Sequence, residues 1–216
     1  LWSKGLPPGK RKKSHLTQNF SDKMFSALAA YFSDKIHLTQ QELELIEMHY
    51  HSKKLKKKEF LLQEGEICRF SAFVVSGCLR SYRLDDLGNE HTFKFVIENW
   101  WVVDNESYSN GTPAQFNIQA LEDSELMIVT KESFYFILEQ IPHMKILVDR
   151  LQSNSFNASQ KRIYKQISAS PEARYQAFLE TYPDIFNRVP LHMLASYLGM
   201  SRETLTRIRS HFARNK

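Results

Sequence analysis

The chain has 216 residues, 42% of them apolar and 25% charged, with 29 basic against 24 acidic side chains and a net charge of +5. This is the profile of a globular protein of one large or two small domains and excludes a chain disordered throughout. Apolar runs stay well below the roughly 18 residues a spanning helix needs, no apolar stretch follows the basic start as a secretory signal requires, and two cysteines are too few for a disulfide framework, so a cytoplasmic protein is expected.

Residues 1–23 combine Pro7-Pro8-Gly9 with the basic run Lys10 to Lys13 and show no periodicity. A basic, disordered extension is expected there, with Met24 opening the ordered chain. From Met24 to Phe32 apolar residues recur at helical spacing. Thr39 and Glu42 have the reciprocal spacing of a capping box ahead of Leu43, Leu45, Ile46 and Met48. Between about residues 53 and 130 the texture changes. Short runs such as Phe60-Leu61-Leu62, Phe73-Val74-Val75 and Leu79 to Leu84 are separated by Gly65, Gly77 and Asp85-Asp86-Leu87-Gly88, and His91 to Ile97 alternates. Many short strands with glycine turns predict an all-β barrel or roll. From Ser133 the spacing of Ile137, Leu138, Ile141, Met144, Leu147, Val148 and Leu151 is helical, broken at Pro142. A long helix is predicted from Pro142 to about Ile167, with later turns that give a dimer seam little apolar support. Ser170-Pro171-Glu172 then supplies a hydroxyl cap, a proline at the first helical position and an acid in the first turn.

Charge is distributed unevenly. Residues 1–23 and 185–216 each carry six basic side chains and one acid, whereas residues 24–184 are net −5. An acidic body with a basic folded end points to a polyanionic partner at that end. There, Leu191, Leu194, Ala195 and Leu198 form one amphipathic helix, Gly199 is suited to end it, and Ser201 to cap a second helix carrying Leu205, Ile208 and Phe212. Two short helices joined by a tight glycine turn, with a small residue at their crossing, make a helix-turn-helix. At about 100° per residue from Arg202, Glu203, Thr206, Arg207 and Ser210 fall on one face and Leu205, Ile208 and Phe212 on the other. The polar face suits a major groove: arginine matches the guanine acceptors in a fork, and glutamate accepts from a cytosine amino group. Arg209, at the edge of that face, is placed for phosphate. The alternative is a pair of packing helices with a charged outer face.

The segment Gly199-Met-Ser-Arg-Glu-Thr-Leu-Thr-Arg-Ile208 closely resembles the recognition element of the Crp/Fnr family of bacterial transcription regulators. Gln63-Glu64-Gly65-Glu66, Val75-Ser76-Gly77 and the Asp85-Asp86-Leu87-Gly88 hairpin resemble that family's roll, and the likeness extends over about residues 24–216. It implies a cyclic-nucleotide-binding-type β-roll, a dimerisation helix and a helix-turn-helix, in that order. It also implies Arg202, Glu203 and Arg207 as base-reading residues, without the strands that often follow the second helix. In nucleotide-binding members of the family a Gly-Glu pair opens the phosphate cassette, and an Arg followed by Ser or Thr closes it. Matched backward from Ile118-Gln119-Ala120, these positions fall on Val103-Asp104 and Ala114-Gln115, leaving the phosphate without a cation. Burying that anion beside Asp104 and Glu106 is unfavourable by several kcal/mol, so ordinary cAMP binding is not expected.

Trp100, Trp101, Asp104, Glu106, Tyr108, Gln115 and Asn117 are candidates to line a pocket for another effector, by position alone. Cys68 and Cys78 cannot supply an iron–sulfur cluster, and His49 and His51 precede the roll without a matching glutamate, so no metal or cofactor is expected. Enzyme signatures such as a phosphate-binding glycine loop or a nucleophile elbow are missing. The expected fold is α+β: a jelly-roll-like β-roll (a double-stranded β-helix) with flanking helices over residues 24–141, a dimerisation helix over 142–169 and a helix-turn-helix domain over 170–216. The expected function is sequence-specific transcription regulation by a homodimer. Its expected partners are double-stranded DNA, RNA polymerase and an unidentified small-molecule effector, with no membrane. The second reading is a ligand-binding roll that acts on a protein partner through its last helices.

Overall fold

The computed structural model describes residues 15–183 and 185–214, with side chains from Lys23 onward. Of the expected disordered extension, residues 1–14 lie outside the described residues. Residues 15–23 depart from that expectation, because α1 spans His15–Ser33. No proline or glycine interrupts the chain between His15 and Met24, so the helix that buries Met24, Phe25, Leu28 and Phe32 extends backward. The capping box forms as predicted at the start of α2, Gln40–His49: the Thr39 hydroxyl accepts from the Glu42 N–H, and the Glu42 carboxylate accepts from the Thr39 N–H at 2.8 Å.

Eight antiparallel strands follow: β1 Tyr50–Leu55, β2 Phe60–Leu62, β3 Phe70–Ser76, β4 Leu79–Leu84, β5 Glu90–Val96, β6 Trp101–Val102, β7 Asn117–Ala120 and β8 Ser124–Thr130. They form two four-stranded sheets, ordered β1-β8-β3-β6 and β2-β7-β4-β5. Leu62, Val74, Leu79, Val96, Ile118 and Leu126 fill the space between them. A short helix, α3 (Asn105–Asn110), which the strand-based expectation does not include, interrupts the roll between β6 and β7. Gly77, at φ 105°, is obligatory: a Cβ there would fall 2.7 Å from the Ser124 Cα.

α4 (Lys131–Gln140) and α5 (Pro142–Ser168) meet at the predicted break. Proline lacks an N–H to bond Leu138, yet it starts the next helix without cost. α5 buries Met144 and Leu147 but leaves Ile146, Phe156, Ile163 and Ile167 exposed, Ile167 at 82%. With Asp149, Ser153 and Gln160 these residues recur at alternating steps of three and four, forming one solvent-facing stripe. The chain ends with α6 (Pro171–Thr181), a 3-10 turn at Ile185–Asn187, α7 (Leu191–Leu198) and α8 (Arg202–Arg214).

This C-terminal unit docks on the roll along β5, an edge strand. A bulge at Phe93, where Ser81 faces Lys94 and Tyr82 faces Thr92, switches the outward-pointing backbone groups. Before the bulge, the Thr92 N–H donates to Ser196 Oγ of α7, which donates to the Glu90 carbonyl. Beyond it, the Phe93 carbonyl accepts from Arg162 of α5 and the Phe95 carbonyl from the Tyr182 hydroxyl. The exposed edge is thereby covered. Beneath it, Phe95, Cys78 and Leu121 of the roll share a core with Phe178, Leu194, Leu198 and Leu205. Arg188 fastens the joint: its Nη2 lies 2.6 Å from Glu122 Oε1 and 2.8 Å from Glu98 Oε1, and its Nη1 donates to Glu98 Oε2 at 3.0 Å. Partial burial would raise the Glu98 carboxyl, but Arg188 and the Gly77 N–H hold it below the usual range. Replacing Arg188 by Ala leaves two facing carboxylates without a cation. The expected loss is about 1–2 kcal/mol, discounted for partial exposure, with faster hydrogen exchange at Thr92 and in α7 than in β3 or β8, read by exchange mass spectrometry and chemical denaturation.

Candidate nucleic-acid interface

α7 ends at Gly199 in the left-handed conformation, φ 62° and ψ 45°, as the sequence predicts. A Cβ at Gly199 would also meet Gln166 Oε1 at 2.9 Å, so the turn is pressed against the last turns of α5. Gln166 fixes this contact, its Nε2 donating to the Tyr197 carbonyl and its Oε1 accepting from Arg174. Ser201 caps α8: its Oγ accepts from the Thr204 N–H and lies within hydrogen-bond distance of the Thr204 hydroxyl, both at 3.1 Å.

From that fixed start α8 turns Leu205 and Ile208 into the core and presents Arg202, Glu203, Thr206, Arg207 and Ser210 to solvent. The Thr206 hydroxyl donates to the Arg202 carbonyl at 2.9 Å. Hydrogen bonds from its own backbone N–H and from Ser201 hold the Glu203 carboxyl below the usual range, so it is an ionised acceptor. Arg209 departs from the row. Its guanidinium sits 5.1 Å from the Phe186 ring centroid and meets the Tyr175 hydroxyl. The arrangement is therefore a rigid, solvent-facing row of two guanidiniums, a carboxylate and a hydroxyl on one helix face, without a loop or strand over it among the described residues. Chemically it offers guanidinium donors and a carboxylate acceptor, the group types that pair with base edges in a major groove.

The residues expected to line an effector pocket are not brought together. Trp101 packs outside the roll against Tyr31, Phe32, Tyr50 and Phe73. Trp100 stacks on Tyr182 at the joint with the C-terminal unit. Asp104 is 2% exposed and caps α3, accepting from the Ser107 N–H at 3.1 Å, while its Oδ2 has no partner among the described residues. Buried Tyr108 on α3 is likewise left with an unpartnered hydroxyl. Glu106 is exposed. Asn117 is buried and accepts from the Glu64 N–H. Ala114 packs its methyl into the roll interior, and its backbone pairs with Gly65 and Glu66. Gln115 is exposed and accepts from Arg83 Nη2 at 3.3 Å, so a cation from β4 does reach the cassette, but on its outer side. Sequence matching within the cassette does not find Arg83, because it comes from another strand. Arg188 and Arg162 escape for the same reason: nothing local marks a side chain that bridges two units.

The family model described as cyclic nucleotide-binding domain matches residues 52–141, which take in the two-sheet roll with its inserted short helix. Among solved structures, the c-di-GMP responsive global regulator CLP of Xanthomonas campestris superposes with a TM-score of 0.65 at 14% identity, covering 82% of this chain and 93% of that one. FixK2 from Bradyrhizobium japonicum gives 0.63 at 18%, covering 77% and 85%. In sequence, the transcriptional activator protein anr of Pseudomonas aeruginosa is 24% identical over 194 residues, covering 82% of this chain and 77% of the relative. The fumarate and nitrate reduction regulatory protein of Vibrio cholerae is 24% identical over 191 residues, covering 83% and 76%. Over most of its length the chain is thus similar to transcription regulators, in sequence to the two relatives just described and in fold to the two solved structures.

Both cysteines are buried. Burial pushes the Cys78 thiol up to about 12, with Arg188 pulling it down and Glu122 and Glu98 raising it. An unfolded thiol ionises at about 8.5, so the neutral folded thiol contributes stability that is complete below that pH and is lost as pH rises toward the folded value. Between about pH 8 and 10 the urea midpoint is expected to fall, and to fall less in Cys78→Ala than in the parent.

Proposed function

We propose that this protein is a sequence-specific DNA-binding transcription regulator that acts as a homodimer. The observation that carries the reading is α8: Leu205 and Ile208 are buried while Arg202, Glu203, Thr206 and Arg207 stand free of the fold on one face. Any amphipathic surface helix turns a polar face outward; what favours reading is the make-up of this face, two arginines and a glutamate beginning at a capped start directly after the Gly199 turn. Arg202 and Arg207 are assigned to guanine edges, Glu203 to a cytosine amino group, and Ser201 and Thr206 to supporting contacts. Arg209, stacked on Phe186, is assigned to positioning α8 and reaching phosphate from its edge. The stripe on α5 from Ile146 to Ile167 supports the dimer: its three-and-four spacing is that of a coiled-coil seam, and its apolar members have no cover among the described residues. Two copies joined there would present two reading helices to a near-palindromic site with half-sites about 34 Å apart. A DNA partner also places the protein in the cytoplasm, and among the described residues no helix is long and apolar enough to cross a membrane.

DNA fragments selected from random sequence by the purified protein would define the operator. On it, Arg202→Ala and Arg207→Ala are each expected to cost about 1–3 kcal/mol and to relax preference at one base pair. Affinity for the operator is expected to fall steeply with salt, which an apolar protein interface would not reproduce.

The roll is assigned a regulatory role without ordinary cAMP recognition. The cassette position that would clamp a phosphate is the Ala114 methyl, the interior is occupied by apolar side chains, and Asp104 adds buried negative charge. Calorimetric titration with cAMP is expected to show no binding at micromolar concentrations. Micromolar or tighter affinity would contradict this assignment.

A further inference from the structure

Lys94 and Arg162 form a pair of cations that the DNA-binding reading leaves unused. β5 and β6 are edge strands of the two sheets and border the open side of the roll. Lys94 pairs with Ser81, and Ser81 with Ile118 of the roll core, so Lys94 shares their inward face. Its Nζ reaches across the opening to the Trp101 carbonyl at 3.4 Å, longer than an ordinary hydrogen bond. Arg162 approaches the same strand from α5 and donates to the carbonyl of the neighbouring Phe93.

Neither cation has an ion-pair partner among the described residues, and both are half-buried. Withdrawal from water and the facing Arg162 guanidinium hold the Lys94 ammonium below its usual range. Arg80 and Arg188, also drawn into the fold, each meet a carboxylate. Two like charges held partly out of water without an anion are costly. One long hydrogen bond to a carbonyl does not offset that, and a neutral side chain would span the opening at less cost. The pair is therefore arranged for an anion that the chain itself does not supply.

The setting narrows the chemistry of that anion. Phe93 and Phe116 stand edge to face beside the cations, with ring centroids 5.0 Å apart, and both are half-buried. An aromatic body would cover these rings, while its carboxylate or phosphate takes the Arg162 fork and the Lys94 ammonium. The Arg162 guanidinium also lies 5.2 Å from the ring centroid of Tyr197 on α7, whose carbonyl accepts from Gln166. Arg162 thus touches both the opening and the helix that precedes the reading helix. We propose that Lys94 and Arg162 bind the oxyanion of a small aromatic acid at the open side of the roll, between β5 and α5. The cations come from a strand and the long helix rather than from the cassette around Ala114. The proposal rests on the reading of the roll as a regulatory unit without ordinary cAMP recognition.

The test follows the melting midpoint of the full chain against millimolar benzoate, phenyl phosphate or inorganic phosphate at constant ionic strength. Benzoate or phenyl phosphate is expected to raise the parent's midpoint by mass action, and the more effective of the two names the oxyanion. Inorganic phosphate is expected to raise it less, and an equal rise would overturn the aromatic assignment. K94M without any probe is expected to melt at or above the parent, since it removes one of two like charges. Its affinity for the effective probe is expected to fall at least about tenfold. R162Q is expected to lose affinity by a similar factor, and R83Q, whose cation lies on the outer side, to keep it. A parent that no probe stabilises, or K94M and R162Q that respond as the parent does, would overturn the proposal and leave the absence of cAMP recognition standing. Micromolar cAMP binding retained in K94M would place the anion in the cassette and overturn both. Micromolar cAMP binding lost in K94M would overturn the cAMP assignment alone and support this site.

Discussion

One guanidinium between two carboxylates decides how the parts of this protein sit together. Glu98 and Glu122 come from different turns of the roll, and both point at the same half-buried spot, where the Gly77 N–H also converges on Glu98. Left alone, that spot holds two like charges drawn partly out of water, which is costly. Arg188, from the segment leading into α7, donates hydrogen bonds to both carboxylates and neutralises half the charge. The end of the roll is therefore unfavourable uncovered and favourable beneath the C-terminal unit. The aromatic cluster of Phe95, Phe178, Tyr182 and Tyr197 adds area, but area alone would not fix an orientation.

From that orientation the rest follows in order. α7 lies along β5, Gly199 turns the chain against Gln166, Ser201 restarts it, and α8 emerges with its polar row outward. The roll meanwhile has its buried cation, Arg80, already paired. Its interior is apolar, the cassette position nearest a nucleotide phosphate is a methyl group, and Arg80 is engaged by Glu90 and Gln119.

Much of this is legible in the chain because the signals are local. The capping box at Thr39, the break at Pro142, the cap at Ser170 and the Gly199–Ser201 turn each reside within four residues, and each forms where the spacing places it. The split of α8 into a buried and an exposed face follows from helical geometry alone. What is not legible depends on residues far apart. Trp100 and Trp101 are neighbours in sequence but face different cores, because successive side chains there point to opposite sides. Arg188 reads as one more cation in a basic tail until Glu98 and Glu122 are brought to it. The α5 stripe is faint in sequence because its polar members, Asp149, Ser153 and Gln160, dilute the periodicity, and only the exposure of Phe156 and Ile163 makes it visible. The start of α1 defeats the expectation of disorder because composition describes a tail well only where nothing ordered follows it in the same helix.

The bulge at Phe93 makes the joint between the two units sensitive to residue count rather than residue type. Substitutions along β5 leave backbone groups where they are, so Ser196, Arg162 and Tyr182 keep their acceptors through considerable drift in side chains. Loss of the codon for Phe93 would restore strict alternation and remove the outward carbonyl that Arg162 bonds. Both cores would survive intact, yet the C-terminal unit would lose one of its fastenings to the roll.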